Sequence, residues 1–339
     1  MKPRLRLFVI LFVVTLLIRC KKDDSNTLVG IRDRSFLDVL ILNGYDTDGD
    51  GNISLAEARA VLSLNINGQN ISDLSGIESF SNLEKLECGS NSFTELNLTG
   101  NPALKILVIV GGNLKKLNLS GATSLTSLDC DGNQLTTLDV SKNTLLDSLE
   151  CGNNRIERLS FKNNLNLRTV NCSSNNLSSI DVSKNTALTL LDCYYNKLST
   201  LDISNNIALT HLECTQNLIG NLDVSKNKSL KYLSCGSNGN FLNSLDVTKN
   251  IALEYLACSY NHLTSLDVTN NYVLSTLYCG NNVLKVLNIS ENTSLKILSI
   301  NDMPSLNKVC VWGLPFPPTG LTLDTTNSLN VYFSTDCNK

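Results

Sequence analysis

Four acidic residues lie within twelve positions of the sequence, and their spacing is typical of a cation site. Asp46, Asp48 and Asp50 occupy alternate positions, and Glu57 follows shortly after them. Carboxylate oxygens are ligands that Ca²⁺ prefers in proteins. Carboxylates that converge without a cation would repel one another, so the sequence favours calcium binding. The alternative is an Asp-rich turn that caps the following helix at Ser54 and binds nothing.

The segment DTDGDGNISLAE, from Asp46 to Glu57, resembles the EF-hand calcium loop. The resemblance implies a Ca²⁺ ligand set supplied by Asp46, Asp48, Asp50, Asn52 and Glu57. Asn52 would give its backbone carbonyl, Ser54 would act directly or through a water, and Gly51 would allow a sharp turn. Calcium sensors usually pair two such loops, and this sequence has one. We therefore expect calcium to stiffen an N-terminal cap rather than to act as a switch.

The rest of the chain is built on a repeat of 21 residues, Leu-x-x-Leu-x-Cys-x-x-Asn-x-Leu-x-x-Leu-Asp-Val-Ser-x-Asn-x-x. A constant period of this length is typical of a solenoid, in which each coil packs only on its neighbours. The Leu-x-Cys alternation predicts one short strand per coil. Units begin at Leu83, Leu104, Leu125, Leu146, Leu167, Leu188, Leu209, Leu230, Leu253, Leu274 and Leu295.

This frame resembles the leucine-rich repeat, with Cys where that family usually has its third Leu. The resemblance implies a mainly β fold, a right-handed solenoid with one parallel strand per turn between a small helix-loop-helix cap and a β C-terminal cap. We expect a signal peptide (1–19), a tether (20–34), the EF-hand-like loop and N-terminal cap (35–62), the repeats (63–305) and the C-terminal cap (306–339). The two recurring asparagines are predicted to form buried columns that satisfy backbone groups of adjoining coils.

Most of the 12 cysteines share one repeat position, where Ile109 and Ile300 replace Cys in two units. That exchange indicates packing rather than chemistry, so we expect buried free thiols. Cys310 and Cys337 lie outside the frame and are predicted to form a disulfide in the C-terminal cap. The alternative is two free thiols.

The N-terminus has a basic segment, an apolar run from Leu7 to Ile18, and then Cys20. It resembles the lipobox of bacterial lipoproteins, which implies that Cys20 is lipidated and becomes the mature N-terminus. Arg19 departs from that family, which prefers a small residue there. The Lys-Lys-Asp-Asp segment at 21–24 resembles tags of surface-exposed Gram-negative lipoproteins. We therefore expect an exported protein, lipid-anchored in the outer membrane at the cell surface. A plain cleaved signal peptide or an uncleaved anchor is the alternative.

The outward-facing strand residues are predicted to line one continuous surface that could bind a partner. Carboxylates in the earlier and middle coils share it, including Asp129, Asp131, Glu150, Asp192 and Glu213. Six tyrosines also lie on this surface. Because tyrosine combines a large apolar face with a polar tip, the tyrosines and carboxylates together predict a protein or glycan ligand. The alternative is that strand positions simply favour tyrosine. The candidate contact residues are Tyr194, Tyr195, His211, Tyr232, Tyr255, Tyr260 and Tyr278.

The charge balance argues against nucleic-acid binding, because the formal net charge is −3 and the basic residues form no patch. We find no nucleophile elbow, phosphate loop or metal-hydrolase motif, and neither His211 nor His262 has a partnered Ser or Cys at a recognisable spacing. We therefore expect a monomer that is not an enzyme. It would act either in recognition and adhesion at the cell surface or as an envelope scaffold or signalling adaptor.

Overall fold

The computed structural model describes residues 26–237 and 242–337, which form a coil of short parallel strands with two helices at its N-terminal end. In these ranges no helix has the length and apolar character that a membrane span requires. The helices are α1 (Arg34–Leu42) and α2 (Leu55–Ala60), and a 3-10 turn follows at Ile77–Ser79. The strands are β1 (Ser63–Asn65), β2 (Lys85–Glu87), β3 (Glu95–Asn97), β4 (Ile106–Val108), β5 (Lys116–Asn118), β6 (Ser127–Asp129), β7 (Ser148–Glu150), β8 (Thr169–Asn171), β9 (Leu190–Asp192), β10 (His211–Glu213), β11 (Tyr232–Ser234), β12 (Tyr255–Ala257), β13 (Thr276–Tyr278), β14 (Val286–Asn288), β15 (Ile297–Ser299), β16 (Lys308–Cys310), β17 (Thr322–Asp324) and β18 (Tyr332–Ser334).

Thirteen of these strands form one parallel sheet, in the order β1-β2-β4-β6-β7-β8-β9-β10-β11-β12-β13-β15-β17. Neighbours pair in register, so that Leu86 lies beside Leu107 and Leu107 beside Leu128. Because strand side chains alternate, the middle residue points into the core while its two neighbours face outward. The predicted mainly β, leucine-rich-repeat solenoid with one parallel strand per turn is confirmed.

The repeat cysteines form one buried column directly after the strands. All nine are free thiols, 0 or 1 % exposed. Burial raises the pKa of every thiol in the column, for example that of Cys279 to about 12. Neutral, buried thiols are packing groups, and Ile109 and Ile300 are buried alongside them. The prediction of buried free thiols is confirmed. The column comprises Cys88, Cys130, Cys151, Cys172, Cys193, Cys214, Cys235, Cys258 and Cys279.

An asparagine column lies just beyond the cysteines, and we call it the strand-side column. Asn175 is typical of it. Its Nδ2 donates to the carbonyls of Cys151, Cys172 and Ser173 at 3.0, 3.1 and 3.0 Å, and its Oδ1 accepts from the N–H of Ile156 at 2.9 Å. The column comprises Asn91, Asn133, Asn154, Asn175, Asn196, Asn217, Asn261 and Asn282, all buried.

A second asparagine column, the back-side column, runs along the opposite wall of the solenoid. Asn185 is typical of it. Its Nδ2 donates to the carbonyls of Phe161 and Asn164 at 3.3 and 2.8 Å. Its buried Oδ1 has no hydrogen-bond partner among the described residues, and the same holds throughout this column. Its members are Asn101, Asn143, Asn164, Asn185, Asn206, Asn227, Asn250, Asn271 and Asn292, all 0 or 1 % exposed.

The N-terminal cap covers the first coil. Phe36 and Leu40 on α1 are fully buried, and the Phe36 ring lies 6.3 Å from that of Phe80. Asp33 begins α1, since its Oδ1 accepts from the N–H of Phe36 at 3.1 Å. The other oxygen of Asp33 accepts from the N–H and hydroxyl of Ser72 at 2.8 and 2.6 Å. One carboxylate therefore fixes the first helix to the first coil.

The chain before α1 is also part of this cap, although the sequence analysis assigned it to the tether. The N–H of Val29 donates to the carbonyl of Ile53, and that of Leu55 to the carbonyl of Thr27, both at 2.8 Å. Val29 and Ile31 pack against the core. These two apolar residues explain the difference, and the predicted tether (20–34) can extend no further than residue 26.

The C-terminal cap closes both walls of the coil. Strand β17 ends the main sheet, while β14, β16 and β18 form a three-stranded sheet on the back, where β3 and β5 also pair. Rings of Trp312, Phe316 and Phe333 pack together, with centroids 5.4 and 4.8 Å apart. The predicted β C-terminal cap is confirmed, and its strand β17 follows the segment 315–318, which contains three prolines.

Candidate functional site

The side chains of Asp46, Asp48 and Asp50 lie together in the loop between α1 and α2. One carboxylate oxygen of each lies within 4.8 Å of the other two. The N–H groups of Gly49 and Gly51 donate to Asp46 at 2.8 and 3.0 Å, which folds the loop around this carboxylate. Three converging carboxylates form a donor set of the kind that hard cations such as Ca²⁺ require.

The backbone conformation at position 51, and not a lack of space for a side chain, explains why a glycine stands there. Gly51 has a φ of +82°, a conformation that costs residues with a Cβ about 1 kcal/mol or more. No atom lies within 4 Å of the place that a Cβ would take. Asn52 follows in the exposed loop and donates its N–H to Asp50 Oδ1 at 2.8 Å.

Glu57 has other partners than the aspartate group, and sequence reasoning missed one of them. One of its oxygens accepts from the N–H and hydroxyl of Thr47 at 2.6 and 2.7 Å, and the other from the N–H and hydroxyl of Ser54 at 2.8 and 2.9 Å. Ser54 Oγ accepts in turn from the N–H of Glu57, completing a capping box at the start of α2. Burial alone would raise the pKa of Glu57, but these hydrogen bonds outweigh it and lower the pKa to about 2.

A row of aromatic rings crosses neighbouring strands on the outer face of the main sheet. His211 stacks on Tyr232 with ring centroids 4.0 Å apart and an angle of 6°, and Tyr232 stacks on Tyr255 at 4.4 Å and 8°. Tyr278 continues the row at 5.9 Å from Tyr255 with a tilt of 54°. Burial lowers the pKa of His211, which keeps the imidazole neutral at pH 7. The structure therefore brings together four of the seven predicted contact residues as one platform.

The remaining three predicted contact residues stand at the rim of the same face. Tyr194, Tyr195 and Tyr260 are 37, 58 and 54 % exposed. Tyr195 and Tyr260 have φ values of +52° and +58°, a conformation that is uncommon for non-glycine residues and costs them about 1–2 kcal/mol.

Other coils fill the frame position of Tyr195 with small or polar residues, such as Gly111 and Gly132, which also have positive φ. The sequence carried a signal for this strain, since those glycines share the frame position. Positive φ is therefore a property of this frame position, and Tyr195 and Tyr260 are its bulkiest occupants.

Carboxylates line the face on one side of the aromatic row. Asp129, Glu150, Asp192 and Glu213 each occupy the third position of a strand, and Asp131 lies two residues beyond Asp129. Burial raises the pKa of Asp131, Glu150 and Asp192, and neighbouring carboxylates raise each of them further. Glu213 Oε2 accepts from the hydroxyl of Tyr232 at 3.2 Å, so the acidic and aromatic regions meet at this pair.

The two cysteines of the C-terminal cap lie side by side as free thiols. Cys310 is buried and Cys337 is partly exposed. Burial and a hydrogen bond with the Cys337 thiol raise the pKa of Cys310 to about 11. The predicted disulfide between them is not formed in the structure, so the bond stays a prediction for the oxidised protein. Cys20, the predicted lipidation site, lies outside the described residues.

Comparisons with known proteins place this geometry among leucine-rich-repeat structures. No family model matches the chain, and no curated protein matches it. The functional domain of InlJ from Listeria monocytogenes, which includes a cysteine ladder, is 29 % identical with a TM-score of 0.58, over 77 % of this chain and 70 % of that one.

Two further solved structures share the fold alone. The internalin InlF from Listeria monocytogenes has a TM-score of 0.64 at 18 % identity, over 91 % of this chain and 96 % of that one. The plant peptide hormone receptor RGFR1, solved in complex with RGF2, has a TM-score of 0.66 at 19 % identity, over 83 and 52 % of the two chains. The chain is thus a leucine-rich-repeat solenoid whose structural neighbours include bacterial internalins, one of them with a cysteine ladder like its own.

Proposed function

We propose that this protein is a non-catalytic recognition protein that binds another protein through the outer face of its main sheet. The observation that carries the proposal is the concentration of aromatic side chains on that face. His211, Tyr232, Tyr255 and Tyr278 form a platform, and exposed tyrosines stand beside it. Aromatic residues of this kind contribute most to binding at protein interfaces.

Two lines of support favour recognition over catalysis. The repeat thiols are buried and neutral at pH 7, and the imidazole of His211 is stacked against a tyrosine rather than placed beside a nucleophile. One structural neighbour, RGFR1, is a receptor solved with a peptide hormone. A polypeptide ligand therefore has precedent on this fold.

The proposal is tested by photo-crosslinking on intact cells. Tyr260 and Tyr272 are 54 and 55 % exposed, but only Tyr260 lies on the proposed binding face. We expect p-benzoylphenylalanine at position 260 to crosslink a discrete protein, and the same group at position 272 to crosslink none. Added Tyr232→Ala, Tyr255→Ala and Tyr278→Ala changes should abolish that product. A product equally strong from both positions would reject the face.

A glycan is the other ligand class that an aromatic face with carboxylates suits. A glycan array with the wild-type protein and the triple tyrosine variant separates the two classes. We expect no binding to the array that depends on the three tyrosines. Binding that the triple variant loses would replace the protein ligand with a sugar.

We further propose that Ca²⁺ binds the loop of Asp46, Asp48 and Asp50 and stiffens the N-terminal cap. The convergence of three carboxylates within 4.8 Å supports this. Asn52 and Glu57 complete the proposed ligand set, and Glu57 would exchange its bonds with Thr47 and Ser54 for the ion. Isothermal titration with CaCl₂ should give a site that Asp48→Asn weakens at least tenfold. Equal heats from both proteins would reject the site.

The location that we propose is the outer surface of the outer membrane, held by a lipid on Cys20. The support is the sequence of the first 24 residues. Protease treatment of intact cells should remove the repeats, and Cys20→Ala should release the protein into the medium. Complete protection of the repeats from protease would instead favour an adaptor that docks a protein inside the envelope.

A further inference from the structure

The charges on the outer face of the main sheet are not balanced on that face. Asp129, Glu150, Asn171, Asp192 and Glu213 stand side by side on successive strands β6 to β10. In the strands of the main sheet from β4 to β17, none of the outward-facing residues is Lys or Arg. Neither of the two residues that follow each cysteine position there is Lys or Arg in the described ranges. The face therefore presents carboxylates without basic partners.

Basic residues at the edge of the main sheet already form ion pairs with acidic residues beside them. At the edge of the sheet, Lys105, Arg168 and Lys231 stand one residue before β4, β8 and β11. They pair with Glu84, Asp147 and Glu254 at 2.9, 3.5 and 3.1 Å, respectively. Because these bases are matched by acids at the same edge, they leave the carboxylates of the face uncompensated.

The carboxylates are also partly withdrawn from water, which makes an external cation more favourable. Asp131, Glu150 and Asp192 are neither fully buried nor fully exposed. The Oδ1 atom of Asp131 is buried and accepts no hydrogen bond among the described residues. A partly desolvated carboxylate gains more from an opposite charge than a fully hydrated one does.

The geometry points to an extended segment of the protein partner, rich in Lys or Arg, lying across strands β6 to β10. Four steps between neighbouring parallel strands span about 19 Å. An extended chain advances about 3.3 Å per residue and presents every second side chain to the same side. Six residues therefore cover the acidic column with about three basic side chains. This inference rests on the proposed function and adds the chemistry of the ligand.

The aromatic row extends the same site beyond the acidic column. His211 lies on β10, where the carboxylates end, and Tyr232 and Tyr255 follow on β11 and β12. The bond between Tyr232 and Glu213 joins the two regions. The segment that fits this order carries its basic residues first and an aromatic or apolar residue directly after them.

The test measures the binding of a fluorescein-labelled peptide, Arg-Thr-Arg-Thr-Arg-Thr-Tyr-Thr-Tyr, by fluorescence anisotropy. The protein is the chain from residue 26 onward, without a fusion partner, and binding is measured at 20 and at 150 mM NaCl. The face variant is Asp129→Asn, Glu150→Gln, Asp192→Asn and Glu213→Gln. The control variant makes the same change in net charge on the back, with Asp139→Asn, Asp181→Asn, Asp202→Asn and Asp223→Asn. Thermal unfolding of all three proteins, followed by circular dichroism, confirms that each is folded.

We expect the face variant to raise the Kd of the peptide at least tenfold and the control variant to change it less than twofold. Higher salt should weaken binding to the wild type and hardly affect the face variant. Equal losses in both variants would show attraction to net charge alone and would overturn the inference. So would no binding of the wild type at 1 mM protein, or unchanged binding to the face variant.

The two proposals fail separately. If the peptide test fails while crosslinking from position 260 still depends on the three tyrosines, the face binds a protein of other chemistry. If crosslinking fails and the peptide binds only through the four carboxylates, the basic ligand stands and the aromatic row is not its platform.

Discussion

The two asparagine columns hold the two walls of the same coil, but they do so to different degrees. In the strand-side column both polar side-chain atoms of Asn175 are bonded, and the bonds join two successive coils. In the back-side column the side chain of Asn185 donates two hydrogen bonds through Nδ2, and its Oδ1 accepts none among the described residues. Buried polar atoms without a partner cost about 1–3 kcal/mol each. Buried polar side-chain atoms are thus better satisfied in the wall that carries the proposed binding face.

The largest effect is expected for Asn175→Ala. The change leaves three carbonyls and the N–H of Ile156 without their side-chain partner, so we expect a loss of about 4 kcal/mol in the free energy of unfolding. Urea unfolding followed by circular dichroism measures it. A loss below about 1 kcal/mol would mean that water replaces the amide without cost.

Asn185→Ala should cost about half as much. It removes two donated hydrogen bonds and also an oxygen that was already unpaired, so we expect a loss of about 2 kcal/mol in the same urea experiment. The pair of variants tests the comparison directly. A cost equal to or above that of Asn175→Ala would show that the unpaired oxygen has a partner in solution, and the difference between the walls would vanish.

Glu57→Gln removes a buried side chain that titrates, whereas the asparagine side chains of both columns do not titrate. The folded pKa of about 2 lies below the ordinary value of 4.5, so the carboxylate stabilises the fold above pH 4.5. That contribution is lost as the pH falls from 4.5 towards 2. With EDTA present, we expect a loss of about 1.5 kcal/mol at pH 7 and a smaller one at pH 3.

The two asparagine variants provide the control for that measurement. Their cost should differ little between pH 7 and pH 3, because amides do not titrate. Urea unfolding at pH 7 and at pH 3 measures the change in the free energy of unfolding for all three variants. If Glu57→Gln costs the same at pH 3 as at pH 7, the hydrogen bonds from Thr47 and Ser54 do not lower the pKa of Glu57.

The smallest effect, and the only one of opposite sign, is expected for Tyr260→Gly. Its positive φ suits glycine, so in the same urea experiment the change should stabilise the fold by up to about 1 kcal/mol. Tyr272→Gly is the matched control and should not stabilise. A destabilised Tyr260→Gly protein would show that the tyrosine packs for stability and that the strand-side wall is not strained.

Features that repeat along the solenoid could be predicted from the sequence, whereas the packing at its two ends could not. The period of 21 residues predicted the strands, the cysteine column and both asparagine columns, because each coil has the same environment as its neighbours. Strand β17 and the packing of Val29 and Ile31 depend on contacts at the ends of the solenoid, where no neighbouring unit provides a pattern.

The candidate site divides in the same way. The frame placed all seven aromatic contact residues on one face. It could not predict the stacking of His211 on Tyr232, which depends on side-chain rotamers in adjacent strands. In the calcium loop the spacing of the aspartates predicted their convergence. The competing bonds of Glu57 were not foreseen, because Thr47 is not part of the ligand pattern.

In-register pairing has a consequence for how the length of this solenoid can change. The Nδ2 and Oδ1 bonds of the strand-side column extend no further than adjoining coils. Excising residues 167–187, one complete unit, would join two coils of the same frame and shorten the molecule by about 4.8 Å, with neither cap disturbed. The length of the main sheet can therefore change by duplicating or losing whole units, a route open to gene recombination without any change at an individual contact.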